Sequence, residues 1–86
     1  MSTGKVRADK DTLKAARVRL GLDQGQLAKA AGLTQVTISN FELGKTAPYD
    51  ATQAAIQAAL ELRGIVFTNG DLPGFYFDKS KVVIPT

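Results

Sequence analysis

Apolar residues recur at three- and four-residue spacing through the first two thirds of the chain and then switch to short β-type runs. The first periodic stretch predicts a helix over Thr12 to Leu20, with Leu13, Ala16, Val18 and Leu20 as its apolar positions and Asp11 as N-cap. Gly21 stops it. A second helix begins after Asp23, whose carboxylate and Gln26 three residues on form a capping-box pattern; Leu27, Ala28 and Ala31 make its inward stripe, and Gly32 ends it. Thr34 caps a third helix that runs to about Leu43 before Gly44. Only Gly32-Leu33-Thr34 separates the second and third helices, which forces a bent pair of helices. Beyond the loop Lys45-Thr46-Ala47-Pro48, an alanine-rich segment from Ala51 to Arg63 predicts a fourth helix capped by Asp50, with Ile56, Leu60 and one alanine row as its core positions and Gly64 as its stop.

Three β-type runs follow: Ile65-Val66-Phe67, Phe75-Tyr76-Phe77 and Lys81-Val82-Val83-Ile84. The first two are expected to form a hairpin across the loop containing Asn69-Gly70, and the third could add a strand through Asp78-Lys79-Ser80. Phe75 and Phe77 fall on one strand face and Tyr76 on the other. A hairpin this short is marginal alone, so it must pack on the helices or pair with a second chain.

Helix three distributes its residues unevenly. Thr34, Ile38, Phe41 and Glu42 share one side; Gln35, Val36, Ser39, Asn40 and Leu43 share the other. Burying the second set would strand amide groups at about 1–3 kcal/mol each, so that face must meet water or a ligand. A solvated helix face usually carries Glu and Lys, which are missing here. Short amides and hydroxyls beside a β-branched methyl suit the DNA major groove: Gln and Asn can bond adenine N6 and N7, Ser or Thr either edge, and an apolar group touches the thymine methyl.

Composition narrows the choice of chemistry. The 86 residues fit one domain and contain no cysteine and no histidine, which removes disulfides, thiol nucleophiles and the commonest general base and metal ligand. With only scattered carboxylates left, the chain is expected not to be an enzyme and to need no metal or cofactor; no small-molecule ligand is evident. No apolar run could form a signal segment or cross a bilayer, so a soluble cytoplasmic protein is expected. From Met1 to Asp50 there are eight Lys or Arg against five acids, whereas Ala51 to Thr86 balances three against three; the whole net charge of +3 lies in the first half. That placement suits a polyanion-facing N-terminal half.

The stretch ARVRLGLDQGQLAKAAGLTQVTISNFELGKTAP, Ala16 to Pro48, resembles the lambdoid phage repressor and Cro (Xre-like) family of DNA-binding regulators. The resemblance is carried by the ungapped pattern R-x-x-x-G-L-x-Q-x-x-L-A-x-x-A-G-L-T-Q-x-T-I-S-x-x-E-x-G-K-x-x-P and extends over Leu13 to Leu60. It implies a mainly α fold: a repressor-like helix-turn-helix domain of four to five helices at 11–63. The polar residues 1–10 read as a flexible arm, and the short β-strand or hairpin extension at 64–86 lies outside the resemblance and could serve dimerisation. The resemblance further implies that Gln35 reads a base and that Val36, Thr37, Ser39 and Asn40 contact bases or nearby backbone. Gln24 would bond a phosphate and buttress the recognition helix, and Lys45 and Thr46 would contact phosphate. Arg17 and Glu42 would form the family's inter-helix ion pair, in agreement with the inward placement of Glu42. Of the basic set Lys5, Arg7, Lys10, Lys14 and Arg19, a few members such as Lys14 and Arg19 are expected on the DNA backbone, with Lys5 and Arg7 in the arm.

Two positions depart from the family pattern. Leu43 replaces a polar residue before the glycine, and Gln53 falls where many relatives have a core leucine. The expected function is a sequence-specific regulator, a repressor binding a palindromic operator in double-stranded DNA as a homodimer. The rival is a protein-interaction module, antitoxin-like or anti-regulator, that uses Val36 and Leu43 on the same scaffold to hold a partner.

Overall fold

The computed structural model describes residues 6–46, 50–68 and 74–86, and they form four helices followed by a two-stranded antiparallel hairpin: α1 (Lys10–Arg19), α2 (Gln24–Ala31), α3 (Gln35–Glu42), α4 (Ala51–Glu61), β1 (Arg63–Thr68) and β2 (Gly74–Val82). Lys5, the Ala47-Pro48 part of the inter-helix loop and the Asn69 to Pro73 connection lie outside the described residues.

Each helix starts on a side-chain cap. The Asp23 carboxylate accepts from Gln26 N at 2.7 Å while the Gln26 amide oxygen accepts from Asp23 N at 2.9 Å, which completes the capping box. Thr34 Oγ1 accepts from Thr37 N, and Asp50 accepts from both Thr52 N and Gln53 N. In α1 the cap is Asp9, not Asp11: its carboxylate accepts from Thr12 N at 2.8 Å, and the helix begins two residues earlier than its apolar pattern predicts. Asp11 falls instead in the first turn, where a negative charge still complements the helix dipole. Gly32 closes α2 in the left-handed region at φ 71°, a conformation that costs glycine nothing, and so permits the tight turn into α3.

One core joins all six elements. Leu13 and Ala16 of α1, Leu27 and Ala28 of α2, Ile38 and Phe41 of α3, Ile56, Ala59 and Leu60 of α4, and Ile65 and Phe67 of β1 are buried together, with Phe75 and Phe77 packed against them. Val18 does not join them; it is 59% exposed. The inward face of α1 continues from Leu13 and Ala16 to Arg17, and Val18 lies one step off that line.

The hairpin differs from its expected outline in two ways. Helix α4 ends at Glu61, so Gly64 lies inside β1, at φ 97°, rather than stopping a helix. The third β-type run is no separate strand: Lys81 and Val82 continue β2, and Val82 pairs with Arg63. Between the pairs Ile65–Phe77 and Arg63–Val82 the register slips, and there Ser80 donates from both N and Oγ to the Asp78 carboxylate, folding the extra residues into a bulge. After β2, Val83 N and Ile84 N both donate to Leu62 O.

The segment before α1 is part of the packed domain from Val6 onward, unlike the loose arm expected over 1–10. Ala8 is buried, and the side-chain amides of Gln53 and Gln57, one turn apart on α4, hold the backbone on either side of it. Gln57 Oε1 accepts from Ala8 N at 2.9 Å, Gln57 Nε2 donates to Val6 O, and Gln53 Nε2 donates to Ala8 O at 3.0 Å. Gln53 thus occupies a core position as a clamp.

Candidate nucleic-acid interface

Helix α3 is fixed to the domain by its inner face. Ile38 and Phe41 are fully enclosed, while Thr34 is exposed and contributes through its cap. At its C-terminal end Glu42 takes a bidentate pair from Arg17: Nε donates to Oε2 at 2.8 Å and Nη2 to Oε1 at 3.0 Å. Arg17 Nη1 also donates to Leu22 O, and Gln24 Nε2 donates to Glu42 Oε1 at 3.0 Å. Both charged side chains are nearly inaccessible, at 11% and 5% exposure, so the pair sits where electrostatics are least screened. Burial pushes the Glu42 pKa up, yet the hydrogen bonds from Arg17 and Gln24 and the nearby positive charges of Arg17 and Lys14 outweigh it and hold the carboxyl below its ordinary value. This polar junction ties α1, the start of α2 and the end of α3 together at one point.

The outer face of α3 has a different character. Gln35 and Val36 are exposed, Ser39 and Asn40 are partly exposed, and the side chains of Gln35, Ser39 and Asn40 make no hydrogen bond among the described residues. Thr37 is partly engaged, its hydroxyl 2.9 Å from that of Thr34. Val36 and Leu43 are 67% and 65% exposed, seven residues apart on the same side of the helix.

The remaining polar residues singled out by the pattern divide. Gln24 stands at the first position of α2, turned onto Glu42, and is partly exposed. Lys45 is exposed just past α3, with its backbone N donating to Asn40 O. The Thr46 hydroxyl, by contrast, is enclosed and has no hydrogen-bond partner among the described residues. Lys14 lies exposed on α1 within the field of Glu42. Arg19 is also exposed, with its guanidinium 4.9 Å from the centre of the Phe77 ring, so it stacks on the hairpin.

A family model described as Helix-turn-helix matches residues 13–63, more than half of the chain, from Leu13 inside α1 through α4, and includes the turn between α2 and α3. The chain belongs to the Xre and lambda-repressor-like helix-turn-helix family. Within that family the α2–turn–α3 unit is a DNA-binding element, and this protein is accordingly a DNA-binding helix-turn-helix regulator of mainly α fold with a C-terminal hairpin. The family is one of regulators rather than enzymes. A search of curated proteins finds no significant match. No helix among the described residues is long and apolar enough to cross a membrane.

Two features escaped the sequence pattern. The Gln53–Gln57 clamp was hidden because both residues are polar; their spacing of four, interleaved with Ile56 and Leu60, is the signal that places them on the inward face. The other is Gly25, which lies opposite Gln35 and has no side chain to reveal a role.

Proposed function

We propose that the protein is a transcriptional repressor that binds a palindromic operator as a homodimer, with α3 of each copy in the major groove and the two recognition helices about 34 Å apart along the DNA. The observation that supports this reading most is the outer face of α3. Gln35, Ser39 and Asn40 offer side-chain donors and acceptors that the protein itself leaves unused, on a helix anchored by Ile38, Phe41 and the Arg17–Glu42 pair. Unused amides on a rigid frame are what discrimination among base edges requires. In this reading Gln35 reads a base, Val36, Ser39 and Asn40 make further base or thymine-methyl contacts, Thr37 touches nearby backbone, and Gln24, Lys45, Lys14 and Arg19 meet phosphate. The protein acts in the cytoplasm, where its DNA is.

The dimer contact is assigned to exposed apolar residues around the hairpin, Leu62, Tyr76, Val83 and Ile84. The inner hairpin residues Ile65 and Phe67 belong to the core and are not free for a partner.

The exposure of both Val36 and Leu43 favours a second reading, in which the outer face of α3 holds a partner protein. Titration against genomic DNA fragments at several salt concentrations separates the two. Saturable, sequence-selective binding that weakens steeply with salt is expected of the regulator, and binding absent at every salt concentration would favour the protein partner.

A further inference from the structure

Gly25 is the second residue of α2, and its φ is not positive. The backbone there does not require glycine, and a glycine inside a helix lowers its stability relative to alanine. The neighbouring side chain gives a use to a small residue, glycine or alanine, at this position. A Cβ built at Gly25 would lie 3.5 Å from Gln35 Oε1, 4.0 Å from Gln35 Cδ and 3.4 Å from Asp23 Oδ1. The Gln35 amide therefore rests against the bare first turn of α2. Among the described residues no side-chain hydrogen bond orients it, and Gln24, the amide one position before Gly25, is turned away onto Glu42.

We infer that Gly25 is a specificity-determining position, which sets the base preference of the protein by leaving the space in which the Gln35 amide lies. This rests on the reading of Gln35 as a base reader. A methyl group fits, because the distances to Gln35 and Asp23 are ordinary van der Waals contacts. A larger side chain has γ atoms to place in staggered positions around Cβ, beside both the Asp23 carboxylate and the Gln35 amide, and so drives the amide from the wall it rests on. The displaced glutamine meets a different set of base-edge atoms.

The experiment compares base preference at every operator position, by competition binding with single-base variants of a selected site, for the wild type, Gly25→Ala, Gly25→Val, Gly25→Leu, Gln35→Ala and Gly25→Val combined with Gln35→Ala. Gly25→Ala should keep the wild-type profile. Gly25→Val and Gly25→Leu should lose or change the preference by roughly tenfold at the single position that Gln35→Ala also affects, while affinity for random DNA and its salt slope stay put. In the Gln35→Ala background Gly25→Val should have no further effect on the profile. Having two large variants, one branched at Cβ and one a strong helix former, guards against a folding failure of either. If Gln35→Ala loses the preference but both Gly25 variants retain it, the inference is overturned and the reading of Gln35 stands. If Gln35→Ala alters no position, that reading falls and the role of Gly25 with it. A uniform loss across all sequences in the Gly25 variants, with the profile unchanged, also overturns the inference.

Discussion

Gly64 shows how a single residue can be decisive without carrying any side chain. At φ 97° it occupies a conformation that side chains rarely adopt, and an added Cβ would stand 2.8 Å from Phe77 Cε1, 2.8 Å from Val82 Cγ2 and 2.9 Å from the Asp78 carbonyl oxygen. The last of these is backbone, so the clash cannot be relieved by rotating a side chain. Gly64→Ala should therefore destabilise the fold by well over 1 kcal/mol, measured by denaturant unfolding, with strain and overpacking adding. Glu42 makes a second prediction at this scale. Its folded-state pKa is held below the ordinary 4.5, so between the two values the unfolded chain binds more protons than the folded one. The stability drawn from this group is present above about pH 4.5 and is lost as pH falls through the lowered value. Glu42→Gln should cost up to about 3–5 kcal/mol at neutral pH by leaving the Arg17 charge buried without its partner. The gap between wild type and Glu42→Gln, followed by unfolding midpoints against pH, should narrow on acidification; a constant gap would contradict the role assigned to the pair.

Among the elements, α3 carries the distinction between reading and holding. Gln35→Ala should remove roughly 1–3 kcal/mol of discrimination at one base position and leave binding to random DNA nearly intact. Lys45→Ala should weaken binding to all sequences alike and reduce the salt slope by about 1. Competition binding at several salt concentrations checks both, and identical behaviour of the two variants on selected and random DNA would show the roles wrongly assigned. Much of this element was legible from residue pattern. A face of Ile38 and Phe41 opposite one of Gln35, Val36 and Asn40 can be buried in only one direction, and the capping signals at Asp23 and Thr34 have a direct local chemistry. Where the pattern misled, long-range partners decided. Asp9 and Asp11 are two residues apart with the same side chain, and the packing of Ala8 beneath the Gln53–Gln57 clamp accompanies a helix begun from Asp9. Val18 yields the inward face of α1 to Arg17, a consequence of the expected Arg17–Glu42 pair that the apolar pattern of α1 alone does not show. Gly64 reads as a helix stop because a positive φ serves a strand bulge and a helix end equally well.

At the scale of the molecule, the hairpin completes the domain rather than trailing from it. Ile65 and Phe67 enter the same core as the helices, Arg19 stacks on Phe77, and Arg63 Nη1 donates back to Ala59 O of α4. This joins the recognition helix, its ion-paired base and the C-terminal strands into one framework, so that the orientation of α3 and the surface assigned to a second copy are fixed relative to each other. Such rigidity is what a fixed spacing between two half-sites demands. The hairpin's partner was the part least legible from the sequence, because alternating Phe75, Tyr76 and Phe77 suits packing on its own helices and pairing with another chain equally.

Selection of bound fragments from random double-stranded DNA, using the full chain, tests the central claim most directly. Two inverted half-sites with centres about 34 Å apart should be enriched, each with a strongly preferred base at the position whose preference disappears in Gln35→Ala. Recovery of no common sequence, or of one whose base preferences are untouched by Gln35→Ala, would contradict it.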